Sequence, residues 1–397
     1  MLTLEQASAA ILARVVPTVD IEKIPLARAS GRFLADNVRA VVDNPAFDNS
    51  AMDGYAVRAA DLAPNGFRLP LVGESAAGSA PAELAPGTCM RIFTGAPMPH
   101  GADAVVMQED VERSVDAIAF PHDVAAGDNV RRRGEDFRRD DVLFERGARL
   151  NTFQLALLAT AGVAELPVYR CARVLVVATG DELVTPGHRL APGQIYESNR
   201  VATLAQVQQF GATAVDGGMV PDDPARLRAL LKTSDEYDFI ITSGGASVGD
   251  HDAVKRVFSE IGEIDFWKVS VKPGKPVAFG RIGERTHFFA LPGNPVSSLV
   301  TYKLFVEPAL AVWHHGAPVD RRFSATAANG FSRRPGRTEF LRARLYTRDG
   351  RWMAEVLKGQ GSHMLGPIRD TNALIRVEME SAGFAAGDTV TAIPLFL

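Results

Sequence analysis

Cysteine is nearly missing: Cys89 and Cys171 are the only two, they lie far apart, and they form no CxxC. That excludes a disulfide framework and a cysteine-based zinc site, and it reads as reduced thiols in a cytosolic protein. Long apolar runs are absent too, and none approaches the ~18 residues of a membrane span. The first residues carry Glu5 and no basic stretch, which is not the pattern of a secretory signal peptide. Neither charge sign dominates: the formal net charge is -4, which argues against a broad nucleic-acid-binding surface. Both standard nucleotide signatures are lacking. "SGGASVG" is not GxGxxG, and Gly274-Lys275 has no P-loop spacing before it. There is no internal repeat and no low-complexity tract. What is present is an ordinary globular composition, 46% hydrophobic and 23% charged, over 397 residues. That length suggests about two to four domains at roughly 150 residues each.

The chain opens on Thr3-Leu4-Glu5-Gln6, a capping box, followed by apolar residues at helical spacing. From about Val41 to Phe137 short apolar runs alternate with Gly/Pro turns, which predicts a small β-rich domain. It closes in "RRRGEDFRRDD", which by itself reads as a solvated, self-paired surface loop. "NTFQLALLATAG" is helical. From about Cys171 to Val312 strands alternate with helices, and "RVLVVATGDEL" has the continuous apolar pattern of a strand buried on both faces. This predicts a doubly wound α/β domain with its ligand site outside the carboxyl ends of the strands. In "DDPARLRALLKTS", Asp222 or Asp223 is the expected N-cap and Pro224 the first helical residue. After about Pro318 the pattern is β again. "EFLRARLYTRDGRWMAEVL" is a hairpin turning at Asp349-Gly350, and the whole predicts a small barrel or sandwich.

Three of the α/β strands end in unusual turns. One gives Thr179, Gly180, Asp181 and Glu182. Another gives Ser243, Gly244, Gly245, Ala246, Ser247, Val248 and Gly249, then Asp250 and Asp252. The third gives Pro292, Gly293 and Asn294, then Pro295, Ser297 and Ser298 opening a helix. Glycine lets backbone approach a ligand, and helix N-termini offer free N–H donors to an anion. One such loop only turns the chain; three at one sheet edge predict a phosphate-type site. The acids Asp181, Glu182, Asp222, Asp250 and Asp252 fall at the same strand ends. A carboxylate about 4 Å from a phosphate costs roughly 4 kcal/mol at an effective dielectric near 20, and a bound Mg²⁺ reverses that sign. The stretch therefore reads as both halves of a metal–phosphate site, although Asp222 alone also suits an N-cap. His251 between the acids takes no role. In "FWKVSVKPGKPVAFG" the alternation places Lys268 and Lys272 on one face of a strand, with Lys275 after a Pro-Gly turn. Such lysines are common on charged edge strands, but beside an anion site they favour anion binding.

Taken together, "FDNSAMDGYAV" (47–57), "RIFTGAPMPHGADAVV" (91–106), "RRRGEDF" (131–137), "ATGDEL" (178–183), "GQIYESNR" (193–200), "SGGASVGDHD" (243–252), "FWKVSVKPGKPVAFG" (266–280), "LPGNPVSS" (291–298), "GRTEFLRAR" (336–344) and "GQGSHML" (359–365) resemble the molybdopterin molybdotransferase family. This is the MoeA type, which also forms the E domain of gephyrin. The matches span nearly the whole chain in family order. The chain departs at Ala246, where valine is expected, and in its Asp250-His251-Asp252 segment.

The resemblance implies a cytoplasmic, Mg²⁺-dependent enzyme of molybdenum cofactor biosynthesis. It would insert molybdate into adenylylated molybdopterin and release AMP. It implies four domains: a discontinuous, partly helical one over 1–40 and 138–170, an inserted β-rich one over 41–137, the α/β molybdopterin-binding one over 171–318, and a C-terminal β one over 319–397. It implies a homodimer in which the second domain of one subunit faces the α/β cleft of its partner. Molybdopterin adenylyltransferase and cofactor-receiving enzymes are further partners it allows; nucleic acid and membrane are not. By motif match, Asp53, Thr94, Asp136, Lys268 and Lys272 would act in catalysis. Ser243, Gly244, Gly245, Ser247, Gly249, Lys275, Pro292, Gly293, Asn294, Pro295, Ser297 and Ser362 would bind the pterin phosphate. Arg131, Arg337 and Arg342 would meet molybdate or nucleotide, and Glu182, Asp222, Asp250 and Asp252 the metal. On residue chemistry alone Asp53 is only a turn-former, with Gly54 supplying an unusual backbone angle. Three rival readings are a molybdopterin adenylyltransferase, a non-catalytic scaffold and a generic Mg²⁺-dependent phosphohydrolase. The extra β domains count against the first, and the absence of a second α/β domain and a long linker against the second.

Overall fold

A computed structural model describes residues 1–244, 253–266 and 268–395 of the chain. The chain divides into two units, one of Met1–Glu22, Gly31–Phe33 and Val168–Leu397, the other of Lys23–Ser30 and Leu34–Pro167. Helix α1, Leu4–Arg14, begins the first unit with the expected capping box: Gln6 N donates to Thr3 Oγ1 at 3.2 Å, and Thr3 N to Gln6 Oε1 at 3.0 Å. The second unit is built mainly of short strands. Its four-stranded sheet runs Leu71–Ser75, Cys89–Ile92, Gly54–Val57, Ala104–Met107. Tyr55, Val57, Leu69, Cys89, Val106 and Ile118 form one core on this sheet, and Ala56, Ile92, Met98 and Val105 another. Helix α2, Thr152–Thr160, follows in the same unit.

The α/β part of the first unit is assembled from β1 (Arg173–Thr179), α3 (Asn199–Phe210), β2 (Thr213–Val220), α4 (Pro224–Leu231), β3 (Phe239–Ser243), α5 (Ala253–Ile261), β4 (Gly262–Phe266), β5 (Ala278–Ile282), β6 (Thr286–Leu291) and α6 (Pro295–Thr301). The sheet order is β2-β1-β3-β6-β5-β4; β2, β1, β3 and β6 are parallel, and β5 and β4 return antiparallel. In β1 only Arg173 is exposed, because both faces are covered. Leu227 and Leu231 of α4 and Val254, Val257 and Phe258 of α5 pack on Leu175, Val177, Ile240, Phe288 and Ala290. Helices α3 and α6 pack against each other. This is the predicted doubly wound fold. Helix α3 ends at Gly211, whose φ is +101°. Asp223, not Asp222, caps α4: its carboxylate accepts from Ala225 N at 2.8 Å. Asp222 is thereby left without the capping role that suited it. A π-helical turn, Tyr302–Val306, carries α6 on into Glu307–Trp313.

The rest closes into a five-stranded barrel: β7 (Phe323–Ala327), β8 (Thr338–Arg348), β9 (Arg351–Val356), β10 (Ala373–Val377) and β11 (Thr389–Pro394), joined in the order β8-β9-β7-β11-β10 and back to β8. Five strands enclose little space, which suits an interior rich in alanine: Ala325, Ala327, Ala343, Ala354 and Ala392 with Leu341 and Ile375. The β8–β9 turn at Asp349 (φ +50°) and Gly350 (φ +72°) has the double positive φ of a type I′ hairpin. The Lys268–Lys272 segment differs from expectation. Only Val271–Lys272 is a strand, and it pairs in parallel with β8 of the barrel rather than with the α/β sheet. Lys268 lies before it; its carbonyl accepts from Leu2 N at 3.3 Å. No helix among the described residues is long and apolar enough to cross a membrane.

Candidate functional site

Parallel register brings the strand-end motifs to one edge. Thr179 stands opposite Val220, Ala178 opposite Ser243, and Ser243 opposite Leu291. The loops that follow are stacked tightly. A Cβ on Gly244 (φ +91°) would lie 2.5 Å from the Thr179 carbonyl oxygen, and one on Gly293 3.7 Å from Gly244 Cα. Asn199 Nδ2 holds the Gly293 carbonyl at 2.7 Å. Pro295 starts α6 after Asn294, whose side chain does not cap it. Instead Val296 N donates to the Ser362 carbonyl at 3.1 Å, so Ser362 supports the helix start through its backbone. Ser243, Ser297 and Ser298 are buried, and the hydroxyls of Thr179, Ser243 and Ser298 have no partner among the described residues. A buried unpaired hydroxyl costs about 1–3 kcal/mol, which a ligand at this edge would offset.

The acids meet at the same edge. Asp222 N donates to Asp181 Oδ1 at 3.1 Å, and the Glu182 carboxylate folds back over Gly180. Burial, then the charges of Asp181 and Glu182, raise the Asp222 carboxyl above its ordinary value. A carboxyl held back from ionising by neighbouring acids suits a cation. Among the described residues, however, no three acids, histidines or cysteines are close enough to form a ready-made metal cage. Gly245, Ser247, Gly249, Asp250 and Asp252 lie outside the described residues.

A cavity of about 390 Å³ lies elsewhere in the first unit, lined by Met1, Lys272, Lys275, Arg333, Arg334, Pro335, Gly336, Arg337 and Glu339. Among the described residues, five basic side chains and one acid surround it, which favours a small anion. The pocket is tied to the sheet edge through α6. The Lys272–Lys275 turn packs on it so closely that a Cβ on Gly274 would come 2.4 Å from Thr301 Cγ2. Lys272 Nζ pairs with Glu339 Oε1 at 2.8 Å, its directly opposite cross-strand neighbour. Arg337 reaches the Val271 carbonyl at 3.4 Å.

In the second unit the three N-terminal motifs converge. Gly95 N donates to Ser50 O at 2.8 Å, Met98 N to Asp48 O at 2.9 Å, and Ala51 N to Asn129 O at 2.9 Å. Asp53 is exposed, and its Oδ1 accepts from both Thr94 N (2.7 Å) and Thr94 Oγ1 (2.8 Å). These bonds, with Arg91 nearby, lower its carboxyl below the usual aspartate value. Gly54 does not have a positive φ; it begins a strand, and a Cβ there would sit 2.0 Å from the Val106 carbonyl oxygen. Close strand approach requires that glycine, so the turn reading of Asp53 loses its premise. The "RRRGEDFRRDD" run is only partly self-paired. Glu135 and Asp141 accept the amides of Arg132 and Arg138 within it, but the side chains of Arg132 and Arg133 pair outside it, with Asp48 and Asp43. Asp136 accepts from Asn44 Nδ2 at 2.8 Å. Arg131 is exposed in a short strand opposite Asn49.

Family models match nearly the full length: MoeA N-terminal region (domain I and II) over 2–162, probable molybdopterin binding domain over 175–312, and MoeA C-terminal region (domain IV) over 324–395. The molybdopterin molybdenumtransferase of Haemophilus influenzae is 39% identical over 400 residues, covering 99% of this chain and 98% of that relative. The chain belongs to the MoeA-type molybdopterin molybdenumtransferase family. A molybdopterin molybdenumtransferase 2 of Mycobacterium tuberculosis is 38% identical over 378 residues, 92% of each chain. The solved structure of the molybdopterin biosynthesis moeA protein from Pyrococcus horikoshii OT3 superposes with a TM-score of 0.84 at 29% identity, over 99% of this chain and 100% of that one. Membership makes the chain an enzyme, a transferase of molybdenum cofactor biosynthesis.

Within this molybdenumtransferase fold the expected residues are unequally gathered. Asp53 and Thr94 meet directly, Glu182 and Asp222 share an acidic edge, and Lys272, Lys275 and Arg337 share a pocket. Lys268 does not line that pocket. Arg342 is 2% exposed, and its guanidinium donates to the carbonyls of Met364 (2.8 Å), Gly361 (3.1 Å) and Gly359. Sequence reasoning missed Arg333, Arg334 and Glu339 in the pocket. The signal for the first two was present in "SRRPGRTEF", just before the motif that was recognised.

Proposed function

We propose that the chain inserts molybdate into adenylylated molybdopterin and releases AMP, with Mg²⁺ as cofactor. The observation that carries this reading is the basic pocket of Lys272, Lys275, Arg333, Arg334 and Arg337, joined through α6 to the glycine loops of the sheet edge. Two neighbouring anion sites suit a reaction that joins an oxoanion to a phosphorylated pterin. The edge loops and their buried hydroxyls, with Ser243, Ser297 and the Pro292–Pro295 turn, bind phosphate oxygens. Lys275, Arg334 and Arg337 draw in the tetrahedral dianion. Arg342 holds the loop that carries Ser362 rather than the anion itself, because its guanidinium is occupied by carbonyls. Asp53 keeps Oδ1 on Thr94, so Oδ2 is the atom left to accept a proton during pyrophosphate cleavage. Glu182 and Asp222 would hold Mg²⁺, with Asp250 and Asp252 completing the set. The ion would supply positive charge against the pyrophosphate oxygens.

The active form in this reading is a cytoplasmic homodimer in which Asp53, Thr94, Arg131 and Asp136 of one subunit serve the α/β cleft of its partner. Phe153, 87% exposed on the apolar helix α2, supports such an interface. The domains are those bounded at 40, 137, 170 and 318. The test is AMP release from adenylylated molybdopterin by the purified chain, with and without molybdate and Mg²⁺. Release that depends on both is expected; release indifferent to molybdate would overturn the reading in favour of a phosphohydrolase.

A further inference from the structure

Among the described residues Glu339 is the one acid lining the basic pocket, and it is 3% exposed. A carboxylate there opposes any anion that enters, so its presence needs a cause. Both its oxygens are engaged: Oε1 with Lys272 Nζ at 2.8 Å and Oε2 with Arg333 Nη1 at 3.2 Å. The two cations differ in freedom. Arg333 is buried and fixed: its Nε donates to Ser381 O at 3.0 Å, and its other nitrogens reach the carbonyls of Arg337, Glu378 and Met379. The Lys272 side chain is 49% exposed, and Glu339 is its charged partner. Lys272 can therefore turn from Glu339 to a ligand, while Arg333 stays and keeps Glu339 compensated.

We propose that Glu339 is a positioning residue which competes with the incoming oxoanion for the Lys272 ammonium and so weakens the pocket's hold on its ligand. This rests on the oxoanion reading of the pocket. Loose binding has a use in a transferase, because an anion held by every available cation would be released slowly to the acceptor.

The experiment is a calorimetric titration of the intact chain with sodium molybdate, carried to millimolar concentration. Glu339→Gln should bind molybdate about 10-fold more tightly than the unmodified chain, since the Lys272 ammonium is released to the anion. In a Lys272→Met background the same change should alter affinity by less than about 2-fold, the non-additivity expected of groups that act through each other. If the unmodified chain binds no molybdate, the oxoanion reading falls and the inference with it. If the unmodified chain binds but Glu339→Gln binds equally or more weakly, only the inference falls. It falls as well if the gain is as large without Lys272. Should Glu339→Gln not fold, a crystal of the unmodified chain soaked in molybdate decides: Lys272 Nζ more than ~4 Å from Glu339 supports the exchange, and an intact pair beside bound anion overturns it.

Discussion

Asp53 and Asp222 are both aspartates near strand ends, and the fold moves their ionisation in opposite directions. At Asp53 the Thr94 amide and hydroxyl favour the charged form, so the group stays ionised to lower pH than a free aspartate. Asn at this position keeps an Oδ1 that can accept both bonds and loses only the charge. Asp53→Asn should therefore lower molybdate-dependent AMP release by ~10²-fold or more, with the melting temperature falling only slightly because the two bonds persist without the charge. Unchanged release would remove Asp53 from the chemistry. At Asp222 burial and two neighbouring acids favour the neutral form. A carboxyl raised in the folded state contributes stability that is complete below its unfolded value and is lost as pH rises through the folded value. At neutral pH the ionised Asp222 is thus a burden on the fold. Asp222→Asn should melt slightly higher than the unmodified chain in metal-free buffer while losing activity. Mg²⁺ should raise the melting temperature of the unmodified chain and not of the variant. A variant that melts lower without metal would contradict this account.

Among the elements, the glycine turns separate positions needed by the chain from positions kept open for a ligand. Gly244 has a positive φ and no room against the Thr179 carbonyl, so Gly244→Ala should cost ~1–3 kcal/mol of stability in denaturant melts. Gly293 is exposed, and an added Cβ would only touch Gly244 Cα at an ordinary 3.7 Å. Gly293→Ala should fold normally and weaken substrate binding; normal binding would leave this turn out of the site. Arg342→Lys should behave as a stability mutant, about 2–4 kcal/mol down, because one ammonium cannot serve three carbonyls set by a planar fork. Much of this was legible beforehand. The continuous apolar run of β1, the capping box of α1 and the Asp349-Gly350 hairpin each declare themselves over a few residues, because periodicity and turn chemistry are local. The pairing of Val271–Lys272 with the barrel was not, since a two-residue strand has no period and its partner, Thr338–Glu339, is far along the chain. Nor was the cap on α4, where adjacent aspartates compete and only the backbone angle chooses. At the site, residue chemistry reached the edge loops and the acids. Asp53, Thr94 and Arg337 came from family resemblance alone, as each looks like an ordinary surface residue until its neighbours are known.

For the molecule as a whole, the reading requires two copies of the chain. Light scattering should give a dimer at micromolar concentration, since an obligate interface typically buries upwards of ~2,000 Å². Mixing Asp53→Asn subunits with Lys272→Met subunits offers a sharper check. If each site draws on both chains, random re-pairing restores one intact site in half of the dimers, about a quarter of full activity. No recovery after verified subunit exchange would mean that each chain completes its own site. The short strand Val271–Lys272 carries one more consequence. It is threaded within the α/β part of the sequence, yet its hydrogen bonds and its ion pair belong to the barrel. The two are therefore poor modules. An α/β fragment cut away near residue 318 would keep its sheet but present Lys272 on a strand with nothing beside it, and the separate barrel would show a bare edge at β8. Co-expressed, the two pieces should find each other through that seam and co-purify, and the association should weaken when Glu339 is replaced.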